Sequence, residues 1–434
     1  MSGSEAGGLD GIRAGILVTG SELLAGQVHD RNGPWVAQRL GALGVEVADV
    51  LVVGDRRDDL RAGLRFLADQ RVELIVTSGG LGPTADDVTA EVVAGFAGVE
   101  LALDPKLEER IAAILRRWAT RTGFAGEALA AANRKQAYVP VGAHILEPVG
   151  TAPGLVVEVA DGPVVLVLPG PPGELRRMWD AGLAAAPVHD LLARTAPFEQ
   201  MHLRMFGLPE SEIAQTLRDV GSSVEEFGVE VTTCLRRFEL EVDLRYRPGS
   251  PGAARAAEEL VAEIERRHAR YLISRDGEST DALVARLLAG HRIGLAESCT
   301  GGLLAGRLTD RPGASEYVAG GVVAYSNQAK ADLLGVPAEL IEAHGAVSPQ
   351  VARAMADGAR ERFSADIGAG ITGVAGPGGG SKEKPVGYVC LCVTTSDGDV
   401  REAAPVLPGD RADIREQATH VAMHLIRRML QGRS

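Results

Sequence analysis

The sequence predicts a multidomain α/β protein, and three observations support that fold class. Apolar runs with strand character alternate along the chain with segments of helical periodicity, a pattern typical of sheets covered by helices. The chain has 434 residues, enough for two or three domains that each bury their own core. Only 4% of the residues are aromatic while 54 are glycines, so we expect cores of Ala, Val and Leu joined by tight turns.

Charge and cysteine content narrow the functional classes. The formal net charge of −13 argues against nucleic-acid binding through a basic face. Four unevenly spaced cysteines without a CxxC pair predict no disulfide framework, which fits a reducing cytoplasm. Residues 1–11 lack the features of a signal peptide, and no apolar run reaches the roughly 18 residues that a membrane span needs. We therefore expect a cytoplasmic protein with no membrane partner.

The first segment, residues 1–175, is predicted to form a sheet with helices on its faces. The predicted strands cover 16–18, 45–53 and 74–76, and the predicted helices cover 35–43 and 60–67. Strands that alternate with helices form a parallel sheet, whose ligands gather at the carboxyl ends of the strands. The residues that follow these strands are therefore candidates for a binding site.

Two polar, glycine-containing segments follow the first and third strands. One reads Thr-Gly-Ser-Glu-Leu-Leu at 19–24, with Asp-Arg-Asn-Gly at 30–33, and the other reads Thr-Ser-Gly-Gly-Leu-Gly-Pro-Thr-Ala-Asp-Asp-Val-Thr at 77–89. A glycine-rich turn that opens onto a helix offers free amides to a phosphate. Asp86 and Asp87 would repel phosphate unless a divalent cation bridges them. The alternative is helix capping, which explains one of the two aspartates better than both.

The second segment, residues 176–270, changes character and is predicted to be a compact α+β unit. The predicted strands cover 202–206, 230–235 and 238–246, and the predicted helices cover 210–217 and 253–268. Arg236 and Arg237 fall at the turn between two of these strands.

The third segment, residues 271–434, is again α/β in pattern. The predicted strands cover 293–297, 317–325 and 367–372, a β-branched run covers 386–393, and the predicted helices cover 281–288, 301–308, 349–363 and 412–430. The stretch that carries chemistry reads Ala-Glu-Ser-Cys-Thr-Gly-Gly at 296–302 and Gly-Gly-Val-Val-Ala-Tyr-Ser-Asn-Gln-Ala-Lys at 320–330.

Ser298 is a candidate nucleophile, because it is predicted at a strand end where the next helix offers free amides to an oxyanion. No histidine lies nearby in sequence. A desolvated Lys330 would lose its proton more easily and could deprotonate the serine, as in Ser-Lys dyads. The alternative is that Ser298 only caps a helix and Lys330 is a solvated surface charge.

The loop at 372–381 is glycine-dense, and its amides could hold a phosphate group. Lys382, Lys384, Arg411 or Arg415 could add positive charge. The alternative for this segment is a surface loop without a ligand.

Further motifs extend the pattern of the third segment in a fixed order. They are His-Gly-Ala-Val-Ser at 344–348, Gly-Val-Ala-Gly-Pro at 373–377, Lys-Pro-Val-Gly at 384–387, and Gly-Asp-Arg at 409–411 followed by Ile-Arg at 414–415. With the segments at 296–302 and 320–330, they resemble the C-terminal domain of the CinA family, which is related to stand-alone nicotinamide mononucleotide (NMN) amidases.

The resemblance implies an amidase that converts NMN and water to nicotinate mononucleotide and ammonia in pyridine-nucleotide salvage. Ser298 would be the nucleophile and Lys330 the proton acceptor, assisted by Tyr325, and the amidase would need no cofactor. The residues expected to contact the oxyanion or the substrate are Thr300, Gly301, Gly302, Thr372, Gly373, Gly376, Gly378, Gly379, Ser381, Arg411 and Arg415.

The first segment resembles the molybdopterin-binding, MoaB/MogA-like fold of three α/β layers that forms the amino-terminal part of CinA proteins. That resemblance implies a metal-dependent ADP-ribose pyrophosphatase site, with Asp86 and Asp87 on a divalent ion such as Mg, Mn or Co. The other implied nucleotide-site residues are Glu22, Asp30, Asn32, Gly79, Gly80, Thr84, Asn133 and Thr151. Ser78 stands where the family often has glycine. Arg134 and Lys135 would either contact a diphosphate or only solvate a helix face.

The second segment resembles the KH-type module of CinA proteins. RNA binding would require a Gly-x-x-Gly clamp between helices, which this segment lacks. We therefore favour a connector or dimerisation module, and the resemblance implies a homodimer. The alternative to both enzymes is a non-catalytic accessory factor in competence or recombination, against which the acidic composition counts.

Overall fold

The computed structural model describes residues 11–122, 134–236 and 238–432. Contacts divide the chain into a first unit, Met1–Glu199 with Tyr246–Ser250, and a second unit, Gln200–Arg245 with Pro251–Ser434. Both units contain sheets and helices, so the predicted multidomain α/β class is confirmed. The division into three domains at 175 and 270 stays a prediction.

The first unit is built around a six-stranded sheet. Its elements are β1 Arg13–Thr19, α1 Ser21–Leu24, α2 Gly33–Ala42, β2 Glu46–Val53, α3 Arg57–Asp69, β3 Leu74–Ser78, α4 Thr89–Ala97, β4 Leu101–Leu103, α5 Pro105–Thr122, β5 Tyr138–Pro140, β6 His144–Leu146, β7 Gly154–Glu158, β8 Val164–Leu168, α6 Pro172–Ala184 and α7 Ala186–Leu192. The strand order is β2-β1-β3-β8-β7-β6, in which the first four strands are parallel and the last two antiparallel to their neighbours.

Successive side chains of a strand point to opposite faces, and this alternation gives the first unit three layers. Leu17 belongs to a core on one face with Leu64 of α3. Ile16 belongs to a core on the other face with Leu40 of α2 and Trp179 of α6. Because α6 packs into this second core, a domain boundary at 175 would fall inside a helix of the first unit.

The second unit contains a four-stranded sheet and a five-stranded sheet. Its elements are β9 Glu199–Phe206, α8 Glu210–Glu226, β10 Glu230–Arg236, β11 Glu239–Tyr246, α9 Ala253–His268, β12 Leu272–Ser274, α10 Thr280–Leu287, β13 Ile293–Glu297, α11 Leu303–Thr309, β14 Val318–Val323, α12 Asn327–Leu334, α13 Ala338–His344, α14 Pro349–Arg362, β15 Ile367–Gly373, β16 Val389–Thr395, β17 Val400–Ala403 and α15 Arg411–Gln431. The strand orders are β10-β11-β9-β12 and β14-β13-β15-β16-β17.

In the five-stranded sheet, β14, β13 and β15 are parallel, so their carboxyl ends meet at one edge. The residues that follow them at this edge are Ser298, Ala324 and Val374. Helix α15 covers one face of the sheet, with Ile414 and Met423 in a core that also contains Leu295 of β13. No helix of the described residues is both long and apolar enough to cross a membrane.

Candidate active site

The turn at 298–302 joins β13 to α11. The Ser298 amide donates to the carbonyl of Ile371 at 2.9 Å, which ties the turn to β15, and the Gly301 amide donates to the Ser298 carbonyl at 3.0 Å. Gly301 and Gly302 have φ values of 62° and 94°, which side-chain-bearing residues rarely adopt. For this reason α11 begins at Leu303, two residues later than predicted.

Lys330 lies next to Ser298. Helix α12 begins after Ser326, whose hydroxyl accepts from the Ala329 amide at 3.0 Å, and this cap points the first turn of the helix at the sheet edge. Lys330 is only 2% exposed. Its Nζ lies 3.1 Å from Ser298 Oγ and donates to the Ala324 carbonyl at 3.0 Å. The structure therefore brings the predicted serine and lysine into contact.

The surroundings of Lys330 favour its neutral form. Burial lowers the pKa of Lys330, and this effect outweighs the neighbouring Cys299, which acts to raise that pKa. Among the described residues, no carboxylate lies within ion-pair distance of Nζ. A neutral amine has two protons and one lone pair, so it can donate to the Ala324 carbonyl and accept the Ser298 proton.

Ser298 and Lys330 line one cavity of about 300 Å³. The residues around it are Ser298, Cys299, Tyr325, Asn327, Lys330, Ala346, Val347, Thr372, Gly373, Val374, Ala375, Gly376, Gly378, Gly379 and Arg411. Thr372 is buried, and its hydroxyl donates to the Ala346 carbonyl at 2.8 Å, which fixes the loop before α14 against the end of β15. The predicted glycine-rich loop thus forms one wall of the serine's cavity.

Tyr325 and Arg411 both line the cavity and are hydrogen-bonded to each other. Arg411 donates through Nη2 to the Tyr325 hydroxyl at 2.8 Å and through Nη1 to the Gly376 carbonyl at 2.7 Å. Tyr325 is 59% exposed, because β14 ends at Val323 and leaves it in a loop. The structure therefore pairs Tyr325 with Arg411, and the assistance of Tyr325 to Lys330 stays a prediction.

The Glu297 carboxylate accepts hydrogen bonds from the backbone amides at the start of α11. This carboxylate is 1% exposed and accepts from the amides of Gly302 and Leu304 at 3.1 Å and of Ala305 at 2.8 Å. The Gly302 amide was predicted to hold an oxyanion, but it already donates a hydrogen bond to Glu297. Gly301 and Gly302 also lie outside the cavity lining. Glu297 was not among the predicted site residues, although its place at the end of an apolar strand indicates a buried carboxylate.

Two other predicted substrate contacts lie elsewhere. Arg415 donates through Nε to the Cys299 carbonyl at 3.1 Å and through Nη2 to the Thr300 carbonyl at 3.0 Å, so it holds the turn rather than facing the cavity. The exposed Ser381 accepts from the Lys384 amide at 3.0 Å, and the Lys384 ammonium donates to the His344 carbonyl at 2.7 Å.

The first unit gathers several predicted residues at the carboxyl edge of its sheet. Asn32 is 6% exposed, and its amide nitrogen donates to Ser78 Oγ at 2.9 Å and to the Gly170 carbonyl at 2.6 Å. Its Oδ1 is buried, and none of the residues that the structure describes forms a hydrogen bond with it. Gly79 and Gly80 have φ values of 107° and 67°, and the Gly79 amide donates to the Leu168 carbonyl at 3.0 Å. The predicted convergence of strand ends is therefore present.

Asp86 and Asp87 do not form a metal site by themselves. Asp87 accepts from the amide of Thr84 at 2.8 Å and from its hydroxyl, while Asp86 lines a separate cavity of about 580 Å³ with Asp55. Lys135 donates to the Thr84 carbonyl. Within 11–122, 134–236 and 238–432, no group of three or more His, Cys, Asp or Glu side chains is arranged to hold a metal ion.

The other residues predicted for the nucleotide site lie in different parts of the first segment. The Asp30 carboxylate accepts hydrogen bonds from the amides of Asn32 and Gly33 at 2.8 and 3.0 Å, and these bonds stabilise the start of α2. Glu22 is exposed in α1, and Thr151 is partly buried before β7. Asn133 lies outside the described residues.

Together, the fold and the site define a two-unit α/β protein whose second unit holds a serine–lysine pair of the kind used in nucleophilic catalysis. The family model of the CinA C-terminal domain matches residues 278–430, and that of the probable molybdopterin binding domain matches residues 15–187.

Whole-chain relatives agree with these matches. A CinA-like protein of Mycolicibacterium paratuberculosis is 57% identical over 433 residues, 96% of this chain and 98% of its own length. One from Mycobacterium tuberculosis is 56% identical over 425 residues, 97% and 98% of the two chains. The crystal structure of the competence/damage inducible protein CihA from Agrobacterium tumefaciens is 40% identical, covers 35% of this chain and 95% of that chain, and has a TM-score of 0.34. The chain belongs to the CinA family.

Proposed function

We propose that the second unit is an amidase that hydrolyses NMN to nicotinate mononucleotide and ammonia. The observation that carries the proposal is the 3.1 Å contact between Ser298 Oγ and the buried Lys330 Nζ in one cavity. A serine hydroxyl is a weak nucleophile until an adjacent base takes its proton, and a lysine with a lowered pKa is such a base.

The proposed reaction has two halves. Ser298 Oγ bonds to the carboxamide carbon while its proton passes to Lys330, and the carbonyl becomes an oxyanion. The C–N bond then breaks, and the leaving nitrogen takes the proton from Lys330 to depart as ammonia. Water next attacks the acyl-serine ester and gives a proton to Lys330. Lys330 returns that proton to Ser298 as nicotinate mononucleotide leaves.

The cavity suits a small phosphorylated ligand. Its volume of about 300 Å³ lies at the lower end of the range for small-molecule sites. The loop at Gly376, Gly378 and Gly379 lines the wall, and the Arg411 guanidinium lies beside it. Backbone amides and a guanidinium are the groups that bind phosphate, so we assign this side of the cavity to the phosphate of NMN.

The experiment is to incubate the purified chain with NMN, with and without a chelator, and to identify products by mass spectrometry and an ammonia assay. We expect turnover that survives the chelator and is lost in Ser298→Ala. The variant Ser396→Ala, which changes an exposed serine in the turn after β16, is the matched serine control. No ammonia release by the wild type would overturn the proposal.

A second candidate function is ADP-ribose binding and cleavage to AMP and ribose 5-phosphate in the first unit. The observation that favours it is the buried Oδ1 of Asn32 at the carboxyl edge of the sheet, which has no hydrogen-bond partner among the described residues. Because the described acidic residues do not make up a metal site, we assign no metal-dependent step. Calorimetry with ADP-ribose, with and without Mg, Mn or Co, tests binding, and Asn32→Asp should weaken it.

The non-catalytic alternative predicts a different outcome from the same preparations. An accessory factor in competence or recombination would turn over neither nucleotide and would bind DNA tightly at physiological salt.

We also propose a homodimer in a cytoplasmic setting, and light scattering of the purified chain measures its mass.

A further inference from the structure

We propose that Lys384 is a positioning residue that ties the glycine-rich loop of the Ser298 cavity to the segment after α13, which forms another part of the cavity wall. This inference rests on the proposed amidase function, because it gives the loop a task in binding NMN. It replaces the expectation that Lys384 adds positive charge at the phosphate.

The glycine-rich loop, residues 374–387, is closed at its base by backbone hydrogen bonds. The Val374 amide donates to the Tyr388 carbonyl at 2.9 Å, and the Gly387 amide donates to the Val374 carbonyl at 2.8 Å. The glycines that line the cavity lie between these bonds. The base of the loop is therefore fixed to the sheet, and the position of the rest depends on contacts beyond the base.

Lys384 connects this loop to the end of α13. Its ammonium donates to the carbonyl of His344, the last residue of α13, at 2.7 Å. Carbonyls in the last turn of a helix have no partner within the helix, so a cationic donor is favourable there. Gly345 has a φ of 76°, and a Cβ at this position would lie 3.1 Å from Lys384 Nζ. Glycine therefore leaves room for the ammonium to reach the carbonyl.

A tight turn holds the backbone of Lys384 in place. The Ser381 amide donates to the Lys384 carbonyl at 2.9 Å, and the Lys384 amide donates to the Ser381 hydroxyl at 3.0 Å. These reciprocal bonds restrict the backbone from which the long side chain starts, so less conformational entropy is lost when the ammonium makes its contact. Ser381 therefore supports the turn that carries the lysine.

The contact joins two parts of the wall of one cavity. Ala346 and Val347, which follow His344 closely in the chain, line the cavity together with the glycines of the loop. Lys384 itself is not among the lining residues. Its ammonium is thus placed to hold the two parts of the wall together rather than to contact a ligand in the cavity.

Arg411 and Lys384 hold the glycine-rich loop at two separate points. Arg411 donates to the Gly376 carbonyl at 2.7 Å, and Lys384 acts further along the loop. The proposed function assigns this side of the cavity to the phosphate of NMN. A loop that is already ordered binds a ligand without the cost of ordering it at that moment. Loss of the Lys384 contact should therefore weaken NMN binding and leave the chemistry at Ser298 nearly unchanged.

Lysine variants test this role. Lys384→Met keeps an apolar stem and removes the donor, so we expect the KM for NMN to rise about tenfold while kcat changes less than about threefold. Lys384→Arg keeps a cationic donor and should restore most of the binding. Glu383→Met, which changes the neighbouring exposed side chain, is the control and should leave both constants unchanged.

Hydrogen exchange of the ligand-free protein separates this inference from the choice of substrate. The amides of Gly345, Ser381 and Gly387 are hydrogen-bonded within the two tied segments. Lys384→Met should speed their exchange about tenfold, and Lys384→Arg should not. The amides of β13 should exchange as in the wild type, which shows that the sheet stays folded.

The two measurements together decide the outcome. Faster exchange in Lys384→Met without NMN turnover by the wild type would overturn the amidase proposal and leave the tie between the two segments in place. A raised KM with unchanged exchange would show that Lys384 contacts the phosphate directly and would overturn the inference. An unchanged KM would overturn it as well, whether or not exchange becomes faster, because the lysine would then not position the substrate.

Discussion

Lys330 Nζ lies 3.1 Å from Ser298 Oγ, although the two residues are 32 positions apart in the chain. The contact depends on parallel pairing of β13 with β14, which brings the ends of both strands to one edge of the sheet. Glu297 pairs with Val323 in that register, so Ser298 and the segment that leads into α12 follow neighbouring strand ends. Strand register therefore sets the geometry of the proposed catalytic pair.

Replacing Lys330 should lower the activity of the protein and raise its stability. Lys330→Met should lower kcat with NMN by about 100-fold to 10,000-fold, because it removes the proposed general base. It should also raise the free energy of unfolding by about 1 to 3 kcal/mol, because a buried amine without a carboxylate partner is replaced by an apolar side chain. Kinetics and urea denaturation of the same preparations measure both effects. A less stable but active variant would contradict the prediction.

The pH dependence follows from the direction of the Lys330 shift. Its folded pKa lies below the ordinary value of 10.5, so the base is lost as pH falls through the lowered pKa and the rate should rise with pH on the acid side. Between the two values the unfolded chain binds more protons than the folded one, so this lysine makes stability rise with pH there. Lys330→Met should remove that contribution, and a pH series of denaturation curves checks it.

Glycine substitutions test the turn that carries Ser298. Gly302→Ala should lower the free energy of unfolding by about 1 to 2 kcal/mol and reduce kcat, because its φ of 94° strains a residue with a Cβ. Gly306→Ala in α11 is the matched control, since a Cβ there meets no atom within 4 Å. The control should be stabilising by up to about 1 kcal/mol, because alanine is the better helix former. Equal effects at both positions would show that the turn conformation is unimportant.

Arg411 and Tyr325 should act as a unit in substrate binding. Arg411→Ala should raise KM for NMN about tenfold, the effect of losing roughly 1.4 kcal/mol of a charge-assisted contact to phosphate. Tyr325→Phe should raise KM less, because it removes only the hydroxyl that accepts from Arg411 at 2.8 Å. In a double-mutant cycle the two effects should not add. Full additivity would mean that the hydrogen bond does not position Arg411.

Two buried histidines of α15 should make the second unit sensitive to acid. Burial lowers the pKa of both His420 and His424 to about 4, and His424 Nε2 lies 3.3 Å from Glu239 Oε1. Between pH 6.5 and 4 the unfolded chain binds more protons than the folded one, so stability should decrease as the pH is lowered, by up to about 3 kcal/mol for each imidazole. His420→Gln with His424→Gln should flatten the curve relative to the wild type. The exposed His291→Gln should leave it unchanged.

The sequence predicted the framework of the second unit well, because strand and helix periodicities are local properties. The predicted strand at 293–297 coincides with β13. The predicted strand at 317–325 was too long, because β14 ends at Val323 and Ser326 then caps α12. The run at 386–393 enters β16 only at Val389, because the chain turns at Gly387 with a φ of 94°.

Contacts made by long polar side chains were harder to predict. Arg415 and Glu297 both turn toward the backbone at 298–302, and nothing in their local sequence specifies that direction. Their partners are set by how α15 and α11 pack on the sheet, which is a tertiary property. Ser298 and Lys330 were identifiable from residue type and motif, but their distance depended on strand register.

Because Glu297 already fills the start of α11, compounds intended to block this cavity should not place a negative group there. Such a group would meet a buried carboxylate that already accepts hydrogen bonds from three backbone amides. Inhibitor chemistry would do better with an electrophile for Ser298 joined to an anionic tail directed at Arg411, which lines the same cavity.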